Sequence, residues 1–146
     1  MATTVSSIRG GKDAPTDAPG AYLLVIDLAE TVAFATAATG PVELPAGRYG
    51  YCGSARGAGG IGARVRRHLR RDMRMHWHVD RLTAAGRVVA VHAAPGGSEC
   101  ALLRRLLAVP GATIPAAGFG SSDCRRCPAH LVALPPDFDP AALGTP

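Results

Sequence analysis

The residues most suggestive of chemistry form a basic segment between Arg56 and Arg74. This segment holds seven of the chain's sixteen basic residues and one acid, Asp72, in a chain of net charge +5. A local excess of one sign of charge favours a polyanionic partner. A phosphate backbone is such a partner.

The centre of this segment is predicted to be a helix from about Ile61 to Arg71, because apolar residues recur there every four positions. Four residues of the helix share one face: Arg64, Arg67, His68 and Arg71. The glycine-rich turn 55–60 precedes it and would let backbone amides approach a phosphate at the helix N-terminus. A solvated surface helix is the alternative, and the turn favours phosphate binding over it.

Two predicted strands carry tyrosines beside small residues, and a glutamate begins a later helix. Gly20-Ala21-Tyr22 opens the first strand, and Tyr51-Cys52-Gly53 lies in another. Glu99 follows Ser98, whose side chain is suited to cap the N-terminus of a helix through about Ala108.

Together these residues resemble the GIY-YIG nuclease superfamily. The triplets at 20–22 and 51–53 resemble its two signature triplets, Arg64 and His68 its catalytic helix, and Glu99 its metal-binding carboxylate. The longer strings GRYGYCGSARG, RRHLR, HWHVD, SEC and GFGSSDC resemble one branch, a domain of unknown function sometimes attached to an endonuclease III-like DNA glycosylase. The resemblance covers roughly residues 20–107.

The resemblance implies a role for each matching residue. Tyr22 and Tyr51 would line the site, and one of them would position or deprotonate the attacking water. Arg64 would neutralise charge on the phosphate, and His68 would assist proton transfer or hold a phosphate oxygen. Glu99 would hold a single Mg²⁺ or Mn²⁺ ion. The implied activity is that of a metal-dependent endonuclease acting on DNA, with a role in DNA repair.

Further contacts to nucleic acid are expected from the basic segment and the two histidines that flank Trp77. These residues are Arg56, Arg67, Arg70, Arg71, Arg74, His76 and His78. One of the two histidines is expected near the site and the other to be structural. Many superfamily members carry an asparagine after the glutamate; this chain has none, and Ser122 or Asp123 is expected to replace it.

Two other functions remain open: a non-catalytic nucleic-acid-binding module, and a zinc-stabilised interaction domain. The spacing of Cys124, Cys127 and His130 is compatible with zinc, with Cys100 or His92 as the fourth ligand. Neutral buried cysteines are the preferred alternative. The chain reads as cytoplasmic, without a membrane span, so its cysteines are expected to be free thiols or metal ligands and not a disulfide framework.

The order of predicted elements indicates an α+β domain with a small, mostly antiparallel sheet flanked by helices. We expect a disordered tail at 1–19, a GIY-YIG-like domain at 20–134 and a proline-rich tail at 135–146. The interval between Tyr22 and Tyr51 is long, which predicts an inserted strand or hairpin. The segment TVAFATA is expected to lie beside the first strand.

Overall fold

The protein is built on a five-stranded antiparallel sheet with helices on both faces, as seen in a computed structural model that describes residues 5–6, 17–36, 39–69, 79–116 and 129–143. The strands are β1 (Val5–Ser6), β2 (Gly20–Leu28), β3 (Val32–Thr36), β4 (Gly40–Leu44), β5 (Gly47–Ala55), β6 (Arg87–Pro95) and β7 (Leu131–Leu134). The helices are α1 (Gly60–Leu69), α2 (Asp80–Ala85), α3 (Glu99–Leu107) and a 3₁₀ helix at Pro140–Leu143. The predicted α+β fold is confirmed.

The central strand β2 is buried on both sides over most of its length, which explains the apolar run at positions 21–26. Its alternate side chains Tyr22, Leu24 and Ile26 pack with α1 and α2 on what we call the tyrosine face. The intervening Ala21, Leu23 and Val25 pack with α3 on what we call the α3 face. The sheet order is β1-β6-β2-β5-β7, so β2 lies between β6 and β5.

The segment predicted as the neighbour of the first strand lies elsewhere. Strand β3 pairs with β4 as a separate two-stranded sheet, because both edges of β2 are occupied by β5 and β6. The expectation that TVAFATA lies beside the first strand is therefore wrong. The hairpin does lie between Tyr22 and Tyr51 in the chain, where the sequence predicts an insertion.

Both predicted tails contribute to the fold. Val5–Ser6 pair with β6, although 1–19 is predicted to be disordered. In the C-terminal segment Phe138 is buried, and its carbonyl accepts a 2.7 Å hydrogen bond from Arg48 Nη1. The carbonyl of Leu143 accepts another from Arg105. The domain therefore extends beyond the predicted boundary at 134, because apolar residues of this segment cover the α3 face.

Helix α3 begins as predicted. The Ser98 hydroxyl accepts a 3.1 Å hydrogen bond from the backbone N–H of Ala101, which caps the first turn. Leu102, Leu103 and Leu106 are buried, whereas Leu107 is exposed. In the part of the chain that the structure describes, no helix is both long and apolar enough to cross a membrane.

Candidate functional site

Tyr22 is the buried centre of the group that the structure brings together on the tyrosine face. It lies two residues from the start of β2 and pairs with Gly53 on β5. Its ring crosses Gly53 so closely that a Cβ atom there would lie 2.4 Å from the Tyr22 hydroxyl oxygen. The glycine of the second triplet is therefore needed for the position of the tyrosine of the first.

His68 reaches Tyr22 from α1. The Tyr22 hydroxyl and His68 Nε2 are 2.7 Å apart, and the two ring centroids are separated by 5.6 Å. The Tyr51 ring approaches His68 edge-on, with centroids 6.1 Å apart. Only 3% of the His68 surface is exposed, so this residue lies in the core between two aromatic rings and is not a surface histidine. We call Tyr22, Tyr51, Arg64 and His68 the tyrosine site.

Arg64 lies one turn before His68 on α1 and hydrogen-bonds the Tyr22 hydroxyl. Burial raises the pKa of Tyr22 far above its ordinary value, and the neighbouring Tyr51 raises it further. The charge and hydrogen bond of Arg64, and the charge of Arg67, lower that pKa without offsetting the burial. The Tyr22 hydroxyl is therefore protonated at neutral pH.

The hydrogen-bond direction follows from the donor inventory. A guanidinium can only donate, so the Tyr22 oxygen accepts from Arg64. The same hydroxyl shares a second hydrogen bond with His68 Nε2, and the His68 tautomer sets which of the two donates. The result is a chain of two hydrogen bonds from Arg64 through Tyr22 to His68.

Three backbone amides at the start of α1 are already hydrogen-bonded within the protein. The N–H groups of Gly60, Ile61 and Ala63 donate to the carbonyls of Gly57, Ala18 and Gly59 respectively. These three amides are therefore not available to a phosphate, and the expectation from the sequence is limited to the other amides of the turn. The turn forms one wall of a cleft of about 120 Å³, and Arg64 and Arg67 line it. Their side chains could bind an anion at this cleft.

The other expected nucleic-acid contacts are only partly described. Arg56 is exposed at the end of β5, and Arg66 is exposed on α1. Arg67 is half-buried beside the cleft. The remaining predicted contacts lie outside the described residues: Arg70, Arg71, Arg74, His76 and His78. The same is true of Ser122 and Asp123, the proposed substitutes for asparagine.

Glu99 has different neighbours from the tyrosine site. A carboxylate oxygen of Glu99, the sulfur of Cys100 and a ring nitrogen of His130 all lie within 4.8 Å of one another. Cys100 packs on the α3 face, whereas Tyr22 belongs to the opposite face. We call Glu99, Cys100 and His130 the α3 cluster.

The cysteines differ from the expectation that none is in a disulfide. Cys100 is disulfide-bonded, whereas Cys52 is a free, fully buried thiol. Burial raises the pKa of Cys52, and the nearby Glu99 carboxylate raises it further, so this thiol is neutral. Cys124 and Cys127, the predicted zinc ligands, lie outside the described residues.

The donors around Glu99 do not fit the expected Mg²⁺ or Mn²⁺ ion. These ions prefer carboxylate, carbonyl and water oxygens, whereas the two nearest partners of Glu99 offer sulfur and nitrogen. The sequence gives Cys100 as one of two alternative partners for His130, and the structure brings these two residues together. The sequence did not predict that Cys100 and His130 both lie next to Glu99, although Cys100 directly follows Glu99 in the chain.

Comparison with known proteins gives one match. The model of the family described as "Domain of unknown function DUF123" matches residues 21–143. The match includes both tyrosine triplets except Gly20, the whole of α3 and the C-terminal segment that covers the α3 face. No curated protein and no solved structure shows a significant match.

Proposed function

The chain belongs to the family described as domain of unknown function DUF123, and we propose that it is an endonuclease of the GIY-YIG type. The proposed reaction is hydrolysis of phosphodiester bonds, with DNA as the favoured substrate and repair as the process. This proposal combines the resemblance of the two triplets and the α1 residues with the contacts among them.

One observation carries the proposal: the 2.7 Å hydrogen bond between the Tyr22 hydroxyl and His68 Nε2, with Arg64 bonded to the same hydroxyl. Tyr22 lies on strand β2 and His68 on helix α1, 46 positions apart in the chain. Their contact joins the features that resemble the superfamily's first triplet and its catalytic helix. A tyrosine, an imidazole and a guanidinium in contact can hold a phosphate and move a proton.

The burial of the two tyrosines suggests different roles. Tyr22 is 1% exposed and its hydroxyl is protonated, so it cannot act as the base at neutral pH. Its role is to connect Arg64 with His68. Tyr51 is 9% exposed and borders His68 from the other side. We assign Tyr51 as the residue that contacts the attacking water, with Arg64 and Arg67 neutralising the phosphate at the cleft.

A metal ion is implied by the resemblance, with Glu99 as its ligand. Because the donors beside Glu99 do not fit Mg²⁺ or Mn²⁺, no step of the proposed reaction is assigned to that ion. The cleavage assay therefore includes each ion separately and a chelator control.

The proposal is tested with a panel of single-stranded, double-stranded and branched DNA and the matching RNAs. Each substrate is incubated with the full chain and Mg²⁺, Mn²⁺, Zn²⁺ or chelator. Arg64→Ala is expected to slow cleavage by about 10²–10³-fold, the usual effect of removing a group that stabilises transition-state charge. Arg66→Ala is the matched control, since Arg66 is exposed on the same helix. It is expected to change the rate less than about threefold, the effect of a distant surface charge.

Two outcomes would contradict the proposal. Wild-type protein that cleaves no substrate under any metal condition would exclude the enzyme, whereas equal rate losses in Arg64→Ala and Arg66→Ala would exclude the catalytic role of Arg64. In the second case the two arginines would contribute only general positive charge. A salt titration of binding on the same substrates then becomes the deciding measurement.

A non-catalytic nucleic-acid-binding module is the second candidate, and one observation favours it. Tyr22 and His68 are 1% and 3% exposed, so neither presents its reactive atom freely to a substrate. This candidate predicts binding that weakens steeply with salt, without cleavage, because phosphate contacts release counterions. Salt-independent binding would exclude both candidates.

A further inference from the structure

We propose that Glu99, Cys100 and His130 form a binding site for Zn²⁺, or a similarly thiophilic divalent ion, which opens when Cys100 is reduced. The inference does not depend on nuclease activity. It rests on the three donor atoms that the structure brings together on the α3 face.

The three donor atoms are close enough together to surround one ion. Zinc bonds of about 2.0–2.3 Å place neighbouring ligand atoms about 3.5 Å apart. In the α3 cluster the carboxylate oxygen, the sulfur and the ring nitrogen lie within 4.8 Å of one another. The donor atoms must therefore move closer together by about an ångström when zinc binds.

The three residues are held on well-anchored elements. Glu99 and Cys100 form the first turn of α3, which Ser98 caps. His130 directly precedes β7, and its carbonyl accepts a 2.9 Å hydrogen bond from the Cys52 N–H. Cys100 and His130 are 8% and 6% exposed. Buried ligands fixed on two elements lose little conformational freedom when an ion binds.

The donor types select the ion. A thiolate and an imidazole are typical zinc ligands, and a carboxylate completes sets of three in many zinc sites. Glu99 and a Cys100 thiolate would together carry two negative charges in a partly buried position, which a divalent cation would neutralise. Cys124 and Cys127 lie outside the described residues and are not among the three proposed ligands.

The disulfide at Cys100 makes the site dependent on redox state. A disulfide sulfur is not the thiolate that zinc needs. A dithiol reductant would supply two electrons, break the sulfur–sulfur bond, release Cys100 and its partner as thiols, and become a cyclic disulfide itself. Zinc binding would then displace the proton of the Cys100 thiol. The Cys100 sulfur would therefore form either the disulfide or the zinc bond, but not both.

The test compares oxidised and reduced full-length protein, each freed of metal with a chelator. The reduced sample is treated with dithiothreitol and desalted without oxygen. Zn²⁺ is then titrated against a chromophoric chelator, and Co²⁺ is added separately to detect the thiolate-to-metal absorption band. The expected result is one equivalent of Zn²⁺ and a Co²⁺ band in the reduced protein, and neither in the oxidised protein.

Variants identify the ligands. Cys100→Ser is expected to abolish the Co²⁺ thiolate band, and Glu99→Gln to weaken Zn²⁺ binding by more than about tenfold, since losing even a supporting contact often costs that much. Glu43→Gln is the matched control, an exposed glutamate on β4. It should retain wild-type affinity.

Three results would overturn the proposal. They are the absence of Zn²⁺ binding in reduced wild-type protein, equal binding by the oxidised protein, and wild-type affinity in Cys100→Ser. The Co²⁺ measurement on wild-type protein needs no variant, so the proposal stays testable if a substitution prevents folding. Because the readout is metal binding, its failure is distinct from failure of the proposed nuclease activity.

Discussion

The two faces of the sheet carry different chemistry near the same end. The N–H of Ile61 at the start of α1 donates to Ala18, and the N–H of Gly96 ahead of α3 donates to Pro19, so both helices begin near the start of β2. On the tyrosine face, hydroxyl, imidazole and guanidinium groups are hydrogen-bonded to each other. On the α3 face, carboxylate, sulfur and imidazole groups converge.

The superfamily resemblance groups into one site residues that fall in two side-chain clusters of this structure. The aromatic and basic members share contacts on the tyrosine face, whereas Glu99 lies with Cys100 and His130. A carboxylate next to sulfur and nitrogen donors has different metal preferences from one surrounded by water. The order of residues along the chain therefore does not define which ion the glutamate would hold.

The two faces each bury a histidine, and these histidines are expected to affect the free energy of unfolding differently as the pH falls. This is the largest effect that we predict. His68 is hydrogen-bonded to Tyr22, whereas His92, on the α3 face, has no hydrogen-bond partner at either ring nitrogen among the described residues. Burial and, to a smaller extent, the charge of Arg105 lower the pKa of His92 to about 4. Between pH 6.5 and 4 the unfolded chain binds a proton that the folded protein does not, so stability falls as pH falls.

The shift from 6.5 to about 4 corresponds to a loss of up to about 3 kcal/mol over this interval. His92→Leu removes the titrating group and should lose correspondingly less stability between pH 6.5 and 4. Denaturant unfolding at several pH values, with the disulfide kept intact, measures this difference. If the free energies of unfolding of wild type and variant fall equally between pH 6.5 and 4, His92 is protonated as readily in the folded protein as in the unfolded chain.

Two glycines on β5, one on each face of the sheet, allow the packing of the two faces to be compared. A Cβ at Gly53 would lie 2.4 Å from the Tyr22 ring, which is fully buried and bonded to His68. A Cβ at Gly50 on the α3 face would meet only the methyl ends of Leu134, Leu106 and Leu23, at 3.0–3.1 Å. Gly53→Ala is therefore expected to destabilise the fold by about 2–3 kcal/mol, and Gly50→Ala by about 1 kcal/mol or less.

Thermal or denaturant unfolding of both variants checks this comparison, with the near-ultraviolet circular dichroism of the tyrosines as a second readout. Gly53→Ala should alter the aromatic signal because Tyr22 must move, whereas Gly50→Ala should not. Equal destabilisation by the two substitutions would mean that the tyrosine face is no more tightly constrained than the leucine contacts on the α3 face.

Local sequence patterns predicted most of the elements and one cluster of contacts. The strands around Tyr22 and Tyr51, the helix with Arg64 and His68, and the Ser98 cap all depend on short-range spacing. The spacing of Arg64 and His68 on one helical face was enough to predict that they would lie together. Their contact with Tyr22 came from the superfamily resemblance, since the bonded residues are far apart in the chain.

Features that depend on long-range pairing could not be predicted in the same way. The pattern of TVAFATA indicates a strand but not its partner, and β2 has both edges filled by other strands. Nothing near Cys100 shows that it forms a disulfide, because connectivity is not encoded in spacing. The apolar residues that anchor the C-terminal segment, such as Phe138, lie among prolines typical of a tail.

The C-terminal segment also distinguishes the two faces, because it packs on the α3 face. Arg48 holds it there, at the end of the sheet opposite the start of β2. The guanidinium binds both carboxylate oxygens of Asp27 at 2.7 and 2.8 Å and donates to the Phe138 carbonyl at 2.7 Å. Arg48→Met should destabilise the protein by about 1 kcal/mol, since a half-exposed bidentate pair contributes modestly. It should also speed hydrogen exchange at the Phe138 N–H, which donates to Pro135.

Arg87→Met is the matched control for this substitution. Arg87 lies opposite Asp27 on β6 and is exposed, and its charge lowers the pKa of the Asp27 carboxyl less than Arg48 does. Its loss should change stability by less than about 0.5 kcal/mol and leave exchange at Phe138 unchanged. If both variants exchange alike at Phe138, the segment is held by the packing of Phe138 and Leu143 on the α3 face. The guanidinium would then only supplement that apolar contact.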